Sequence, residues 1–240
     1  MLKKILAMCA LVATVSFAEW DMFPILPQGK GEVVGAMQIR DQDPITTLTG
    51  ETGVRFSPLS FMELYLKLDY LFFTHIDGED AELDGLGNLP VGVKFQLNQS
   101  YALFFDAVLP IGDEDINYDY TVFQIGISHV NLYTNLAWGS EFGVTFYLED
   151  DVYVFNFGDE WDILLGRFVP YFVFDLAMGI YAGPEEDDYA SGFQLGFGAK
   201  LSITEAVSVD FSMLFLLGDL YESFGCDDPK LYTLAVFYRF

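Results

Sequence analysis

The sequence is poor in histidine, cysteine and basic side chains. It contains 2 histidines and 2 cysteines among 240 residues, and 11 Lys and Arg against 36 Asp and Glu. A net charge of −25 argues against a nucleic-acid partner, because phosphate contacts need a basic surface. An activated serine needs a histidine base. Ser128 and His129 are adjacent at the end of a predicted strand, where neighbouring residues point to opposite faces, so we expect no enzyme.

Long apolar runs are also missing. After residue 18 no stretch offers the roughly 20 uninterrupted apolar residues that a membrane helix needs. Even so, 52% of the residues are hydrophobic and 17% are aromatic, which excludes a disordered chain. The apolar residues must therefore be distributed over many short elements.

The first 18 residues have the pattern of a secretory signal peptide. The pattern comprises a basic start, an apolar stretch and a small-x-small cleavage site: Lys3 and Lys4, Ile5–Val15 and Ser16–Ala18. A lipoprotein, modified at Cys9, is the weaker alternative because the apolar run continues past that residue. We therefore expect a signal peptide over 1–18 and one domain over 19–240, whose single cysteine, Cys226, cannot form an internal disulfide.

Apolar and polar residues alternate in segments along the rest of the chain. In 207–217, for example, Val209 and Phe211 flank Asp210. A period of two predicts β-strands. About twelve segments show it: 31–40, 50–57, 61–73, 88–97, 101–110, 119–128, 131–148, 152–165, 169–182, 189–201, 205–217 and 230–240. An even number of strands of roughly ten residues is typical of a transmembrane antiparallel up-and-down β-barrel, and counts of 10 or 14 stay open.

The connections between these segments form two alternating sets. One set is short and poor in acid: 57–60, 98–100, 129–131, 166–170 and 202–205. The other is acidic, as in 77–84, 113–119, 149–151, 185–188 and 219–228. In outer-membrane barrels the short turns are periplasmic and the long loops lie outside. We therefore expect an outer-membrane protein whose acidic rim attracts divalent cations or cationic solutes and bridges through cations to anionic lipopolysaccharide.

Charged side chains are confined to one face of the predicted strands, and the other face is almost purely apolar. The charged face carries Arg40, Arg55, Glu63, Lys67, Asp69, Lys94, Asp106, Glu141, Asp175, Lys200, Asp210 and Arg239. A soluble sandwich or lipocalin-like barrel would bury these charges, at several kcal/mol for each unpaired ion. A membrane barrel instead turns them towards its lumen, where they predict a path for a small solute. Because six bases face six acids, a second interpretation stays open: a paired ladder that plugs a narrow lumen.

The chain ends on an alternating strand. One face of it carries Tyr232, Leu234, Val236, Tyr238 and Phe240. A membrane barrel closes by pairing its last strand with its first, because hydrocarbon cannot satisfy an open edge. The apolar face ending in Phe240 resembles the sorting signal that outer-membrane barrels present to their assembly machinery, which is therefore an expected partner.

One acidic connection resembles a calcium loop. Asp80, Glu82 and Asp84 have the spacing of alternate calcium ligands, and Gly85 follows them. The twelfth position of such a loop needs a bidentate acid, and Val91 stands there. The sequence thus predicts at most a weak calcium site and otherwise no cofactor.

Two stretches resemble an outer-membrane family labelled "putative MetA-pathway of phenol degradation". They are GLGNLPVGVKFQL (85–97) and ALFFDAVLPIGDED (102–115), with Gly87, Gly92, Lys94, Pro110 and Gly112 at the matching positions. Asn88 stands where aspartate is usual, and Ile111 stands where threonine is usual. The resemblance implies a transporter-like barrel without an established substrate. The rival function is a structural or adhesive barrel with a plugged lumen and cation-binding outer loops.

Overall fold

A computed structural model describes residues 24–43, 45–76, 79–81, 84–113, 116–117, 119–149, 152–181, 188–218 and 229–240. The predicted signal peptide, 1–18, lies outside these residues. Among the described residues, no helix is long and apolar enough to cross a membrane.

Alternating sequence segments become β-strands throughout the described chain. In chain order they are β1 (Gly31–Gln42), β2 (Ile45–Leu59), β3 (Met62–Ile76), β4 (Glu79–Ala81), β5 (Gly85–Leu86), β6 (Leu89–Gln96), β7 (Tyr101–Leu109), β8 (Val122–Leu132), β9 (Leu136–Tyr147), β10 (Val152–Ile163), β11 (Phe168–Tyr181), β12 (Asp188–Ser202), β13 (Val207–Leu217) and β14 (Lys230–Arg239). β4 and β5 are short segments that pair with the outer half of β3.

The other twelve strands close into one antiparallel up-and-down barrel. β1 pairs with β2, β2 with β3 and β3 with β6, and from β6 each strand pairs with the next. β14 closes the ring on β1, from Glu32 opposite Arg239 to Asp41 opposite Lys230. Phe240 extends this joint, because its N–H donates to the carbonyl oxygen of Gly31 at 2.9 Å. The predicted count of twelve strands is thereby confirmed.

Several predicted boundaries are wrong. The connection expected at 129–131 lies inside β8, and the turn falls at 133–135, where Tyr133 N–H donates to the Leu136 carbonyl at 2.8 Å. Asn135 ends that turn, in keeping with the turn preference of asparagine. β2 begins at Ile45 rather than residue 50, because its threonine-rich start suits a strand. Gln42 and Ile45 are therefore paired directly, and only residues 43 and 44 connect β1 to β2.

The outward face of the barrel is a continuous apolar surface. On β14, for example, Leu234, Val236 and Tyr238 are each about half exposed, whereas Thr233, Ala235 and Phe237 between them are buried. Eleven of the twelve barrel strands have nine or more residues, enough to cross a bilayer when tilted. Lipid is the solvent that such a surface requires, so the protein is an outer-membrane β-barrel.

Both chain ends of the barrel lie on the side of the short turns. Gly31 and Phe240 are hydrogen-bonded there, next to the turns at 60–61, 97–100, 133–135, 164–167 and 203–206. The acid-rich connections join the strands at the opposite end of the barrel. In an outer-membrane barrel the end with short turns faces the periplasm.

We expect Phe142→Arg to destabilise the folded barrel. Phe142 points outward from the middle of β9 and is 48% exposed, so the arginine would enter hydrocarbon. A basic residue near the bilayer midplane costs about 2–4 kcal/mol. The measurement is the free energy of unfolding in urea with lipid vesicles. Glu149→Arg in an exposed outer turn is the control, and an equal loss in both variants would contradict the membrane assignment.

Candidate functional site

All twelve charged residues that the sequence assigns to the lumen lie on the inward face. Glu63 and Lys94 are completely buried, and Arg40, Arg55, Lys67 and Asp210 are at most 6% exposed. Asp69, Asp106, Glu141, Asp175 and Lys200 are half-buried, and the side chain of Arg239 is half exposed at the periplasmic end. Whether these residues form a solute path stays a prediction.

Four further acids point inward: Glu32, Glu51, Glu160 and Asp162. Glu32 lies an even number of residues from Arg40 on β1, and Glu51 lies an even number from Arg55 on β2. Strand alternation could therefore have predicted that both acids point inward. The other two lie in the sequence GDEWD, where acids on both faces obscure the period. Asp159 in that sequence points outward and accepts a hydrogen bond from Trp138 Nε1 at 2.8 Å.

Eight inward charges form a ladder around the periplasmic half of the lumen. Their sign alternates from strand to strand over Lys200, Asp210, Arg239, Glu32, Arg55, Glu63, Lys94 and Asp106. The register places Lys200 opposite Asp210, and Glu63 opposite Lys94. We call these eight residues the charge ladder. It occupies eight neighbouring strands, from β12 through β1 to β7.

The centre of the charge ladder is a buried ion network. Arg55 Nη2 lies 2.8 Å from Glu32 Oε1, and its Nε donates to the same oxygen at 3.0 Å. The other oxygen of Glu32 pairs with Arg239. Arg55 Nη1 also lies 3.7 Å from Glu63 Oε1. Opposite charges and hydrogen bonds of this kind offset the free-energy cost of removing the ions from water.

Two tyrosines bind acids of the charge ladder by lying across a glycine. Tyr65 on β3 crosses Gly92 on β6 and donates its hydroxyl to Asp106 on β7. Tyr171 on β11 likewise crosses Gly198 and donates to Asp210 Oδ1 at 2.7 Å. A Cβ at either glycine would collide with the ring, so only glycine lets the tyrosine lie flat against the wall.

The remaining strands form a different wall. On β9, β10 and β11 the inward charges are Glu141, Glu160, Asp162 and Asp175, which we call the acidic arc. Among the described residues of these strands, no basic side chain points inward. Glycines stand beside the acids, with Glu141 opposite Gly158 and Glu160 opposite Gly139.

Each end of the lumen is narrowed by a non-strand segment. At the outer end Tyr120, which precedes β8, packs on Val122, Tyr147 and Val154. A tyrosine near a strand end is expected to anchor the barrel in the membrane interface, and for Tyr120 that expectation is wrong, because its side chain is 9% exposed and packs inside the mouth. At the periplasmic end the segment before β1 contributes Leu26, whose N–H donates to Glu63 Oε2 at 2.8 Å.

The family-like stretches contribute Lys94 and Asp106 to the charge ladder and also build a joint in the wall. β3 and β6 pair only from Met62 to Leu66, and beyond that the residues before β6 bond to the loop after β7. Asn88 Oδ1 accepts from Gly112 N–H at 3.1 Å, and Asn117 Oδ1 accepts from Asn88 N–H at 2.9 Å. The carboxylate of the expected aspartate could accept from Gly112 equally well.

The other predicted sites are only partly described. For the calcium candidate, Glu82 and the side chain of Asp80 lie outside the described residues, and exposed Asp84 accepts from the Tyr70 hydroxyl at 3.3 Å. Among described residues no group of three or more metal-ligating side chains could hold an ion.

The C-terminal residues Tyr232, Leu234, Val236, Tyr238 and Phe240 form one outward face, and their role in sorting stays a prediction.

We expect Arg55→Met to cost about 3–5 kcal/mol of unfolding free energy, because it leaves Glu32 and Glu63 buried without their shared cation. Adding Glu32→Gln should recover part of the loss, since Arg239 is half exposed and can be hydrated. Denaturant titration in detergent measures both variants. Arg167→Met in an exposed turn is the control, and a loss no larger than that control would show that the network is unimportant.

Solved structures share this architecture at low sequence identity. An outer membrane channel of the COG4313 group from Pseudomonas putida F1 superposes with a TM-score of 0.70 at 14% identity, over 90% of this chain and 97% of that one. The translocator domain of the autotransporter NalP from Neisseria meningitidis gives 0.62 at 11%, over 97% of both chains. The NanC porin gives 0.60 at 8%, over 86% of this chain and 98% of that one. These likenesses show the fold alone.

Sequence comparison adds the family. No curated protein matches the chain significantly. The profile of a family described as "Putative MetA-pathway of phenol degradation" matches residues 33–219, from the first barrel strand to the end of β13. That match covers well over half of the chain and includes the joint built by Asn88 and Gly112. The protein therefore belongs to this family of outer-membrane barrels.

Proposed function

We propose that the protein is a channel that passes a small solute through its polar lumen. The observation that carries the proposal is the division of the interior into two walls. The charge ladder is paired within the protein and lines eight strands, whereas the acidic arc and its glycines line the wall opposite. Such a division supports a polar passage beside a rigid, filled wall.

A lumen plugged by ion pairs is the rival proposal. It is supported on the ladder side, where Glu32, Glu63 and Lys94 are completely buried. It finds less support on the arc side, where the described inward charges of β9, β10 and β11 are all acidic. Twelve strands also lie between eight-stranded cylinders filled by side chains and open sixteen-stranded porins.

The comparisons are consistent with a channel. Two of the similar structures are those of an outer membrane channel and a porin. The NalP structure has the same fold and is the translocator domain of an autotransporter, so the proposal rests on the lumen rather than on the likeness. No catalytic role is part of the proposal.

The outer rim forms a second part of the proposal. Asp41, Asp43, Asp84, Asp119 and Glu149 are exposed there. We propose that these carboxylates attract divalent cations and bridge to anionic lipopolysaccharide. The C-terminal strand would be read by the barrel assembly machinery.

Purified protein in planar bilayers should give steady conductance, and Tyr120→Ala should raise it. Tyr120 fills the outer mouth against Val122 and Tyr147, so its removal widens the passage. Tyr133→Ala, in an exposed periplasmic turn, is the matched control and should leave the conductance unchanged. A silent bilayer with protein that still shows heat-modifiable migration would refute the channel and favour the plugged barrel.

A further inference from the structure

The inward charges of the described barrel do not balance. Six are basic: Arg40, Arg55, Lys67, Lys94, Lys200 and Arg239. Ten are acidic: Glu32, Glu51, Glu63, Asp69, Asp106, Glu141, Glu160, Asp162, Asp175 and Asp210. With every group ionised the difference is 6 − 10, or four negative charges.

This excess has a definite place in the lumen. The charge ladder has four acids and four bases and is neutral as a set. The other inward charges of β1, β2 and β3 are Arg40, Lys67, Glu51 and Asp69, again two of each sign. Lys67 lies close enough to Asp69 to interact with it electrostatically. The four unbalanced charges are thus the four residues of the acidic arc.

The acidic arc is a crowded group of carboxylates. Glu160 is 3% exposed, is hydrogen-bonded to Asp162 and interacts electrostatically with Asp175 and also with Asp210 of the charge ladder. Asp175 accepts from Gln194 Nε2 at 2.6 Å. Among the described residues, Asp162 Oδ1 and Oδ2 of the 6% exposed Asp210 have no hydrogen-bond partner. These two carboxylate oxygens, on β10 and β13, flank Tyr171, which donates to Asp210.

Electrostatics then decides which ions this wall admits. Charges of one sign along a low-dielectric wall concentrate counter-ions and exclude ions of their own sign. A buried carboxylate also needs a cation nearby, and the described inward face of β9–β11 supplies none. A mobile cation from solution can provide that charge beside Glu141 and Glu160, whose register partners Gly158 and Gly139 carry no side chain.

We propose that the channel is selective for cations and that its permeation path follows the acidic arc. This inference rests on the proposed channel function and specifies the charge of its solute. Small monovalent cations, and organic solutes that carry a protonated amine, are the class that the arc accepts. Anionic solutes are repelled on the arc side and meet a charge-neutral, filled wall on the ladder side.

The test is the reversal potential of the channel in a planar bilayer across a gradient of KCl. Wild-type protein should reverse close to the potassium equilibrium potential. The variant Glu141→Gln, Glu160→Gln, Asp162→Asn and Asp175→Asn keeps the side-chain sizes and removes the four charges. Its reversal potential should move towards zero. The single variant Glu160→Gln should shift it in the same direction by less, and provides the test if the fourfold variant does not fold.

A matched control removes four charges from the rim instead. Asp43→Asn, Asp84→Asn, Asp119→Asn and Glu149→Gln alter exposed residues and should leave the reversal potential near the wild-type value. A channel that conducts but reverses near zero or on the chloride side, or whose selectivity follows the rim rather than the arc, overturns this inference and leaves the channel standing. A silent bilayer with folded protein overturns both.

Discussion

Hydrocarbon cannot donate or accept hydrogen bonds, and every other feature of this molecule depends on that fact. Each backbone N–H and C=O inside the bilayer must be paired within the protein, so the sheet has to close. The pairing of β14 with β1, continued by Phe240 and Gly31, removes the last free edge. The same solvent requires an apolar outer surface, and strand alternation then turns the polar side chains into the lumen.

Charges inside such a barrel need partners, and the protein supplies them unevenly. Over eight strands, acids and bases alternate and form the buried network of Glu32, Arg55 and Arg239. Tyrosines that cross glycines fasten Asp106 and Asp210 to the same wall. Over β9, β10 and β11 the protein supplies only acids. One wall is therefore neutral as a set of charges, the other is acidic and lined by glycine, and the proposed passage rests on this division.

Much of this could be predicted from the sequence, because strand alternation is a local signal with a physical cause. The twelve strands, the inward face and the closing strand all follow from it. It failed where local signals conflict: acids on both faces of 158–162 concealed Glu160 and Asp162, and the turn after β8 carries no glycine or proline to mark it. Tertiary packing determines the inward position of Tyr120 and the contact of Leu26 with Glu63. No periodic pattern in the sequence predicts such packing.

The most direct test of the inverted barrel is a cysteine scan along β13 in a Cys226→Ser background. Each single-cysteine variant is studied in lipid vesicles in two ways. A fluorophore attached to the cysteine is tested for quenching by a membrane-soluble quencher, and the free cysteine is tested for labelling by a water-soluble maleimide. Outward positions such as 209, 211 and 213 should respond to the quencher, and inward positions such as 208, 210 and 212 should not. Strict alternation along the strand is the predicted result. Uniform labelling by the maleimide at all positions would contradict a strand that faces lipid on one side.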